Sequence, residues 1–384
     1  MPDNPQNDEI VELITEIDTR MKKVHTNSLD LSFNELLDMK KAGELNITPD
    51  YQRLFQWSEG ARSRFIESLL LEMPVPPIYV VEEEDGKYLL IDGLQRISSY
   101  LHMRGELDAP HLDPPIRPGE KLILADCDIV KSLNGRTWDE LGTALQIRLK
   151  RSFVRVEVVR KGSDPRFKYH MFKRLNTGGA LLSDQQVRNC TIRLLDPTFN
   201  DFIIELSKTQ DFQTGIETLT EERRLAAFDQ ELVLRFFALR NYRNNFKHDV
   251  ADFLTEYMEG VSETEEQSRI PFNYEEERAA FLKTFRILAQ TLGERSFSIA
   301  NRSRDALTKS FGIYQFEAFT VGIQSHLNAI DENDDNLLHR LTEVFLAIKL
   351  DPQFIRITTG GGKNSPGPLN ERIGFVERHI QEAL

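Results

Sequence analysis

The stretch "PIYVVEEEDGKYLLIDGLQRISSYLHM", residues 77–103, decides the reading of the fold. Two apolar runs, "IYVV" and "YLLI", flank "EEEDGK". Asp85-Gly86 is a strong tight-turn signal, so the segment reads as a β-hairpin. The strand pattern then breaks at Asp92-Gly93, and "LQRISSYLHM" carries apolar residues at helical spacing. A turn from strand to helix uses the Asp and the Gly but has no need of the Arg that follows. With "YLLI" as a strand, Asp92 falls at the N-cap, Gly93 and Leu94 in the first turn, and Gln95 at the third helical position. Asp92 and Gln95 are then placed to satisfy orphan N–H groups much as a capping box does. Arg96, four residues after Asp92, lies on the same face one turn in. The amides and positive dipole end of a helix start suit an anion, phosphate above all, and an Arg there adds a bidentate contact. Taken alone, the stretch reads first as a capped helix whose Arg sits in a salt bridge.

Upstream, "SLDLSFNELLDMKKAGEL" reads as a short strand and a helix stopped at Gly43. "NITPDYQRLFQWS" is a polar and aromatic loop, and "EGARSRFIESLLLEM" an amphipathic helix ended by Pro74, Pro76 and Pro77. Downstream of a Pro-rich connector, "KLILADCDIV" and "FVRVEVVR" are strand candidates around a helix at "TWDELGTALQIRLKR". Residues 1–29 read as a partly disordered arm plus a helix over "EIVELITEIDTRMKKV". From residue 196, runs such as "FDQELVLRFFALRNYRNNF" and "NLLHRLTEVFLAIKL" repeat apolar residues at helical intervals, with little strand signal. The expected fold class is α+β: a mixed domain over 30–195 and an all-helical domain over 196–384.

The 384 residues suffice for two domains, and their net charge of −13 argues against a protein that coats nucleic acid through bulk charge. A local basic groove stays open. Two cysteines, Cys127 and Cys190, cannot build a disulfide framework or a four-thiolate zinc site, and both read as small buried apolar residues. The acidic "MPDNPQNDE" start lacks the layout of a signal peptide, and no apolar stretch approaches the roughly 20 residues that cross a bilayer. A cytoplasmic protein with no membrane partner is expected.

Two further stretches have the composition of a ligand surface. "PDYQRLFQW" sets Tyr51, Gln52, Arg53 and Trp57 in a loop without apolar period. Recognition is one reading of it, and aromatic pinning of the loop to the core is the other. "MFKRLNTGGALLSDQQVRNC" holds an Asn-Thr-Gly-Gly turn followed by a capping box at Ser183 and Gln186, with Arg174, Asn176 and Arg188 as the polar groups. Two other features have bland defaults. "TTGGGKNSPG" (358–367) lacks Gly at Ile357 and Ser/Thr at Asn364, so it reads by default as a flexible loop, with a phosphate-touching loop near the main pocket as the alternative, and not as a P-loop. Arg240, Arg243 and Lys247 form a basic stripe that faces DNA phosphates, solvent or a partner.

In this order and spacing, "YQRLFQW", "FIESLLLEMPVPPIYV", "YLLIDGLQRISSYL" and "MFKRLNTGGALLSDQQVRN" resemble the N-terminal GmrS-like domain of the GmrSD family. That family comprises modification-dependent restriction proteins and their stand-alone relatives. The resemblance implies a ParB/sulfiredoxin-like fold over about residues 30–195 and a nucleotide pocket. It gives Asp92, Gln95 and Arg96 a catalytic role in NTP hydrolysis. Tyr51, Gln52, Arg53, Gly93, Arg174, Asn176, Gly178, Gly179 and Arg188 would bind the nucleotide, and no protein metal site is implied. The expected cofactor is an NTP, with or without Mg2+. The expected partners are nucleotide, DNA, and a nuclease or other defence subunit, with homo-oligomerisation open. Asp92 has three roles to choose from: capping the helix, binding a divalent ion, or orienting the attacking water. Two alternatives stand beside the NTPase: a non-hydrolytic nucleotide or DNA switch governing a separate nuclease, and a ParB-fold metal-dependent nuclease. The chain departs from the commonest family form at Leu94, where a second Gln is usual; this bears on hydrolysis unless the position faces the core. Long members also carry a His-Asn-His nuclease domain. Here the C-terminal half offers only His248, His326, His339 and His379 without such a cluster, so DNA cleavage by this chain alone is not expected.

Overall fold

The computed structural model describes residues 13–15, 25–47, 55, 57–83, 85–112, 114–163, 171, 174, 183–247 and 249–384. The chain divides into two units, residues 1–182 and 183–384.

The first unit is built on a five-stranded sheet. In chain order its elements are β1 (Thr26–Ser32), α1 (Phe33–Ala42), β2 (Leu45–Asn46), α2 (Glu59–Leu70), β3 (Ile78–Glu82), β4 (Tyr88–Asp92), α3 (Leu94–Met103), α4 (Gly142–Arg151) and β5 (Phe153–Val159). The strand order is β1-β5-β3-β4-β2. β1–β5 and β3–β4 run antiparallel, and β5–β3 and β4–β2 parallel. The hairpin expected at 77–92 is there, Val80 facing Leu90 and Val81 facing Leu89, closed by a bond from Glu83 N to Lys87 O of 2.8 Å. α1 starts where the Ser32 hydroxyl accepts from Glu35 N and stops at Gly43 in the left-handed region, as its sequence predicts.

Valines and isoleucines of β3, β4 and β5 bury one layer, on which Phe33, Phe65, Ile66, Ile97 and Tyr100 of the helices close. Phe33 joins Phe65 and Tyr100 at ring separations of 5.6 and 5.5 Å. Each such side chain stabilises the unit by about 1.5–3 kcal/mol through the apolar area it removes from water.

One expected strand is missing. "KLILADCDIV" has no ladder, because its polar backbone groups go to scattered partners. Leu122 N donates to His102 O, Leu124 N to Arg136 O and Ala125 N to the Ser63 hydroxyl. The buried Glu67 carboxylate of α2 accepts from Asp128, Ile129 and Val130 N. A segment fastened by helices and turns has no groups left for a neighbouring strand.

The second unit is dominated by helices: α5 (Asp184–Thr191), α6 (Thr198–Ser207), α7 (Gln210–Gly215), α8 (Glu221–Leu225), α9 (Phe228–Asn241), α10 (Val250–Val261), α11 (Tyr274–Thr291), α12 (Ile313–Gly322), α13 (Asp335–Leu350), α14 (Pro352–Thr358) and α15 (Pro366–Ala383). Its core is rich in phenylalanine, with Phe236, Phe237, Phe281, Phe285, Phe297 and Phe316 all buried. The all-helical expectation needs one correction: β6 (Ser298–Ala300) and β7 (Leu307–Phe311) pair antiparallel. A three-residue strand is too short to show a period of two.

A ladder of buried charges crosses this unit. Arg188 (α5) donates to Glu231, Glu231 also accepts from Arg235 (both α9), and Arg235 donates to Glu317 (α12). Glu317 in turn accepts from Arg372 of α15. Elsewhere in the unit the buried Lys349 ammonium (α13) donates to Ser296 O at 2.8 Å and Ser298 O at 3.2 Å. Burial pushes Lys349 down to about 7. Among the described residues, no helix is long and apolar enough to cross a membrane.

Candidate functional site

β4 ends at Asp92, opposite Tyr79, and hands directly to α3. The N-cap of α3 is Gly93 and not Asp92, with φ of 112° and no side-chain cap bond. Only glycine suits this position. The backbone is left-handed, and a Cβ there would sit 2.7 Å from Ile78 Cγ1 on β3. The expected Asp92–Gln95 capping box is therefore replaced by an open helix start.

The side chains freed from capping have other partners. Arg96 Nη2 donates to Asp92 Oδ2 at 2.7 Å and to Pro77 O at 3.0 Å, stitching the start of α3 to the entry of β3. The Arg96 side chain is 13% exposed and Asp92 35%, so the carboxylate is the wetter partner. Arg96 Nε is buried and meets no partner among the described residues. Leu94 is only 4% exposed, so the position where the commonest family form has Gln belongs here to the core.

Gln95 turns to the loop before α2, its Oε1 accepting from Trp57 N at 3.1 Å. Trp57 O accepts from Arg62 Nε at 2.9 Å, so both polar groups of this residue's backbone are held by helix side chains. Arg62 Nη1 lies 2.8 Å from His102 Nδ1, and both side chains are buried. A guanidinium can only donate, so Nδ1 accepts and the imidazole proton sits on Nε2. Burial pushes His102 down to about 4, with the Arg62 charge adding to the effect. Burial also lowers the Arg62 guanidinium, against an opposing pull from Glu59. Sequence reading missed both groups. For His102 the available signal is its place seven residues after Gln95, on the same face of α3.

A cleft of about 420 Å3 opens beside this cluster, walled by Trp57, Arg62, His102, Leu112, Pro115 and Ile123. A larger one, about 830 Å3, lies away from it between the end of α2, α4 and β5, among Met73, Ile147, Arg151 and Phe153. No group of three or more His, Cys, Asp or Glu able to hold a metal occurs among the described residues.

Of the other sequence-predicted site residues, Tyr51, Gln52, Arg53, Asn176, Gly178 and Gly179 lie outside the described residues. Arg174 is exposed. Arg188 belongs to the second unit, buried and engaged by Glu231, Gln185, Thr255 and Ala251 O. The basic stripe does not form. α9 ends at Asn241, and Arg240 is paired with Glu277 and Gln324. "TTGGGKNSPG" follows helix α14 and no strand, which removes the P-loop reading. His326 and His379 bond to Glu377 O and Phe375 O, and His248 lies outside the described residues.

An α+β unit with an uncapped, glycine-turned helix start beside an Asp–Arg pair is the class these observations define. Residues 33–193 match the family model described as GmrSD restriction endonuclease, N-terminal domain. The match supports a GmrSD-type restriction protein N-terminal domain over these residues. No curated protein and no solved structure matches the chain.

Proposed function

We propose that the first unit binds and hydrolyses a nucleoside triphosphate as one component of a DNA restriction or defence system, its phosphates seated at the Gly93–Arg96 turn. The observation that carries this reading is the start of α3: no side chain caps it, and beside it Arg96 keeps a buried, unpartnered Nε–H. Helix-start amides and a guanidinium together favour a multiply charged oxyanion. A phosphate oxygen would draw Arg96 from Asp92, because a doubly charged acceptor outcompetes a singly charged one. Asp92, so released, would orient the attacking water. It is also the carboxylate beside the turn that could share Mg2+ with the phosphates; such an ion offsets phosphate charge. Gln95 ties the Trp57 loop to this same turn. The family match supports restriction or defence as the setting; a nuclease subunit and DNA are the partners that go with this reading.

The test is phosphate release from each NTP with Mg2+ by the purified chain, set beside calorimetric binding. Arg96→Ala is expected to abolish both, and nucleotide bound as tightly by this variant would refute the site. A second reading, a switch that binds without hydrolysis, is favoured by one observation. Asp92 is already engaged by Arg96, and the Gln95 carbonyl by Trp57, so neither is preset to hold a water. Binding without phosphate release would select it.

A further inference from the structure

The cleft beside Trp57 is not explained by phosphate binding. It is tied to the start of α3 through Trp57, whose amide is held by Gln95, and its walls are of two kinds. Trp57, Leu112, Pro114, Pro115 and Ile123 provide flat and apolar surface, while Glu59, Glu120 and Lys121 bring charge to its rim. Within this wall, His102 presents one unengaged group. Nδ1 accepts from Arg62, and Nε2–H has no hydrogen-bond partner among the described residues. The ring cannot turn away, because Arg62 is itself fixed on Trp57 O and packs 5.4 Å from the Phe55 ring. The site therefore joins an aromatic wall to one fixed, neutral donor in about 420 Å3, room for a heteroaromatic ring system and its water.

Length along the helix supplies the second half of the argument. Seven residues separate Gln95 from His102, which is about 10 Å of α-helix. A nucleotide spans a similar distance from its phosphates to the far edge of its base. We infer that this cleft is the base subsite of the nucleotide, with Trp57 as the stacking wall and His102 Nε2–H donating to a ring nitrogen or carbonyl of the base. The assignment rests on the phosphate site proposed at Gly93–Arg96 and adds to it how a nucleoside is told from a bare polyphosphate. Stacking serves every base, and one donor demands only an acceptor, which all four common bases provide. The subsite therefore selects for a base with little choice among bases.

The experiment uses two classes of probe on the full chain: the four NTPs, and inorganic tripolyphosphate, which has no base. In a Trp138→Phe background Trp57 is the remaining tryptophan, so stacking reads out as quenching of its emission. All four NTPs are expected to quench and tripolyphosphate is not, although it competes for the phosphate site. By calorimetry, His102→Leu is expected to raise the NTP Kd about tenfold, the effect of one lost buried hydrogen bond. Tripolyphosphate affinity stays unchanged. Since His102 also helps to seat Arg62, Ile123→Trp is the second variant. Ile123 is 58% exposed, so the larger ring fills the cleft without entering the core. It too is expected to weaken NTPs about tenfold or more and to spare tripolyphosphate. If both variants bind NTPs like the parent while tripolyphosphate still competes, the base subsite is wrong and the phosphate site stands. If neither NTP nor tripolyphosphate binds the parent chain, the phosphate site fails and the subsite with it. Quenching by a single-stranded oligonucleotide but by no mononucleotide also overturns the assignment.

Discussion

Acid should weaken the first unit through one residue. His102 ionises near 6.5 in the unfolded chain and only at about 4 when folded, because it is buried against the Arg62 charge. Between these values the unfolded chain binds a proton that the folded chain refuses, so stability rises with pH across the window. It is complete above 6.5 and lost as pH falls toward 4. Linkage puts the loss at about 2 kcal/mol by pH 5 and about 3 kcal/mol by pH 4. The mechanism is local: a protonated His102 no longer accepts from Arg62, two cations face each other, and the hold on Trp57 O weakens. Urea unfolding at pH 4.5, 5, 6 and 7.5, followed by Trp57 emission in the Trp138→Phe background, measures the slope. His102→Gln removes the titration while keeping an acceptor for Arg62, so its slope across this window is expected to be shallower by that amount. Equal slopes for parent and variant would refute the reasoning, as would a parent slope of opposite sign.

Three other outcomes follow from the same kind of accounting. Glu317→Gln leaves Arg235 and Arg372 buried with one acid fewer, and chemical denaturation of the second unit is expected to show a loss of about 3–5 kcal/mol. Gly93→Ala forces an L-residue into the left-handed region against Ile78, so a lower melting temperature and loss of NTP binding are expected together. Retained binding in a stable variant would contradict the account of the turn. Lys349 is lowered to about 7 from an unfolded 10.5, so the second unit should gain stability as pH rises through that window. The gain is about 2–3 kcal/mol from pH 6 to pH 9, measurable by unfolding and absent in Lys349→Met.

The elements that read correctly in the sequence are those whose signals are local. The hairpin at 77–92 declares itself by two apolar runs around Asp85-Gly86, and α1 by its Ser32 cap and Gly43 stop. The site was legible in part, since the Asp92–Arg96 stretch marks the handover from strand to helix. Its geometry was not. Asp-Gly before a helix permits either residue to be the N-cap, and the contact of Gly93 with Ile78, fifteen residues away, decides between them. Arg62 and His102 are 40 residues apart, and neither pattern alone suggests the other. Residues 121–130 failed as a strand because Glu67 and Ser63 take their backbone groups, an outcome that no period in that segment can announce.

The ladder from Arg188 to Arg372 also governs the order in which the second unit can be completed. Its members come from α5, α9, α12 and α15, and Glu317 leaves the ribosome 55 residues ahead of the arginine that completes its pairing. Until α15 arrives, Glu317 Oε1 has Arg235 while Oε2 lacks Arg372. Without α15 the ladder holds two arginines and two glutamates and is balanced in charge, so Arg372 arrives as a third cation whose carboxylate partner is Glu317. Docking of α15 supplies the partner of Glu317 Oε2, so a buried ion pair pins that helix to the interior of the unit.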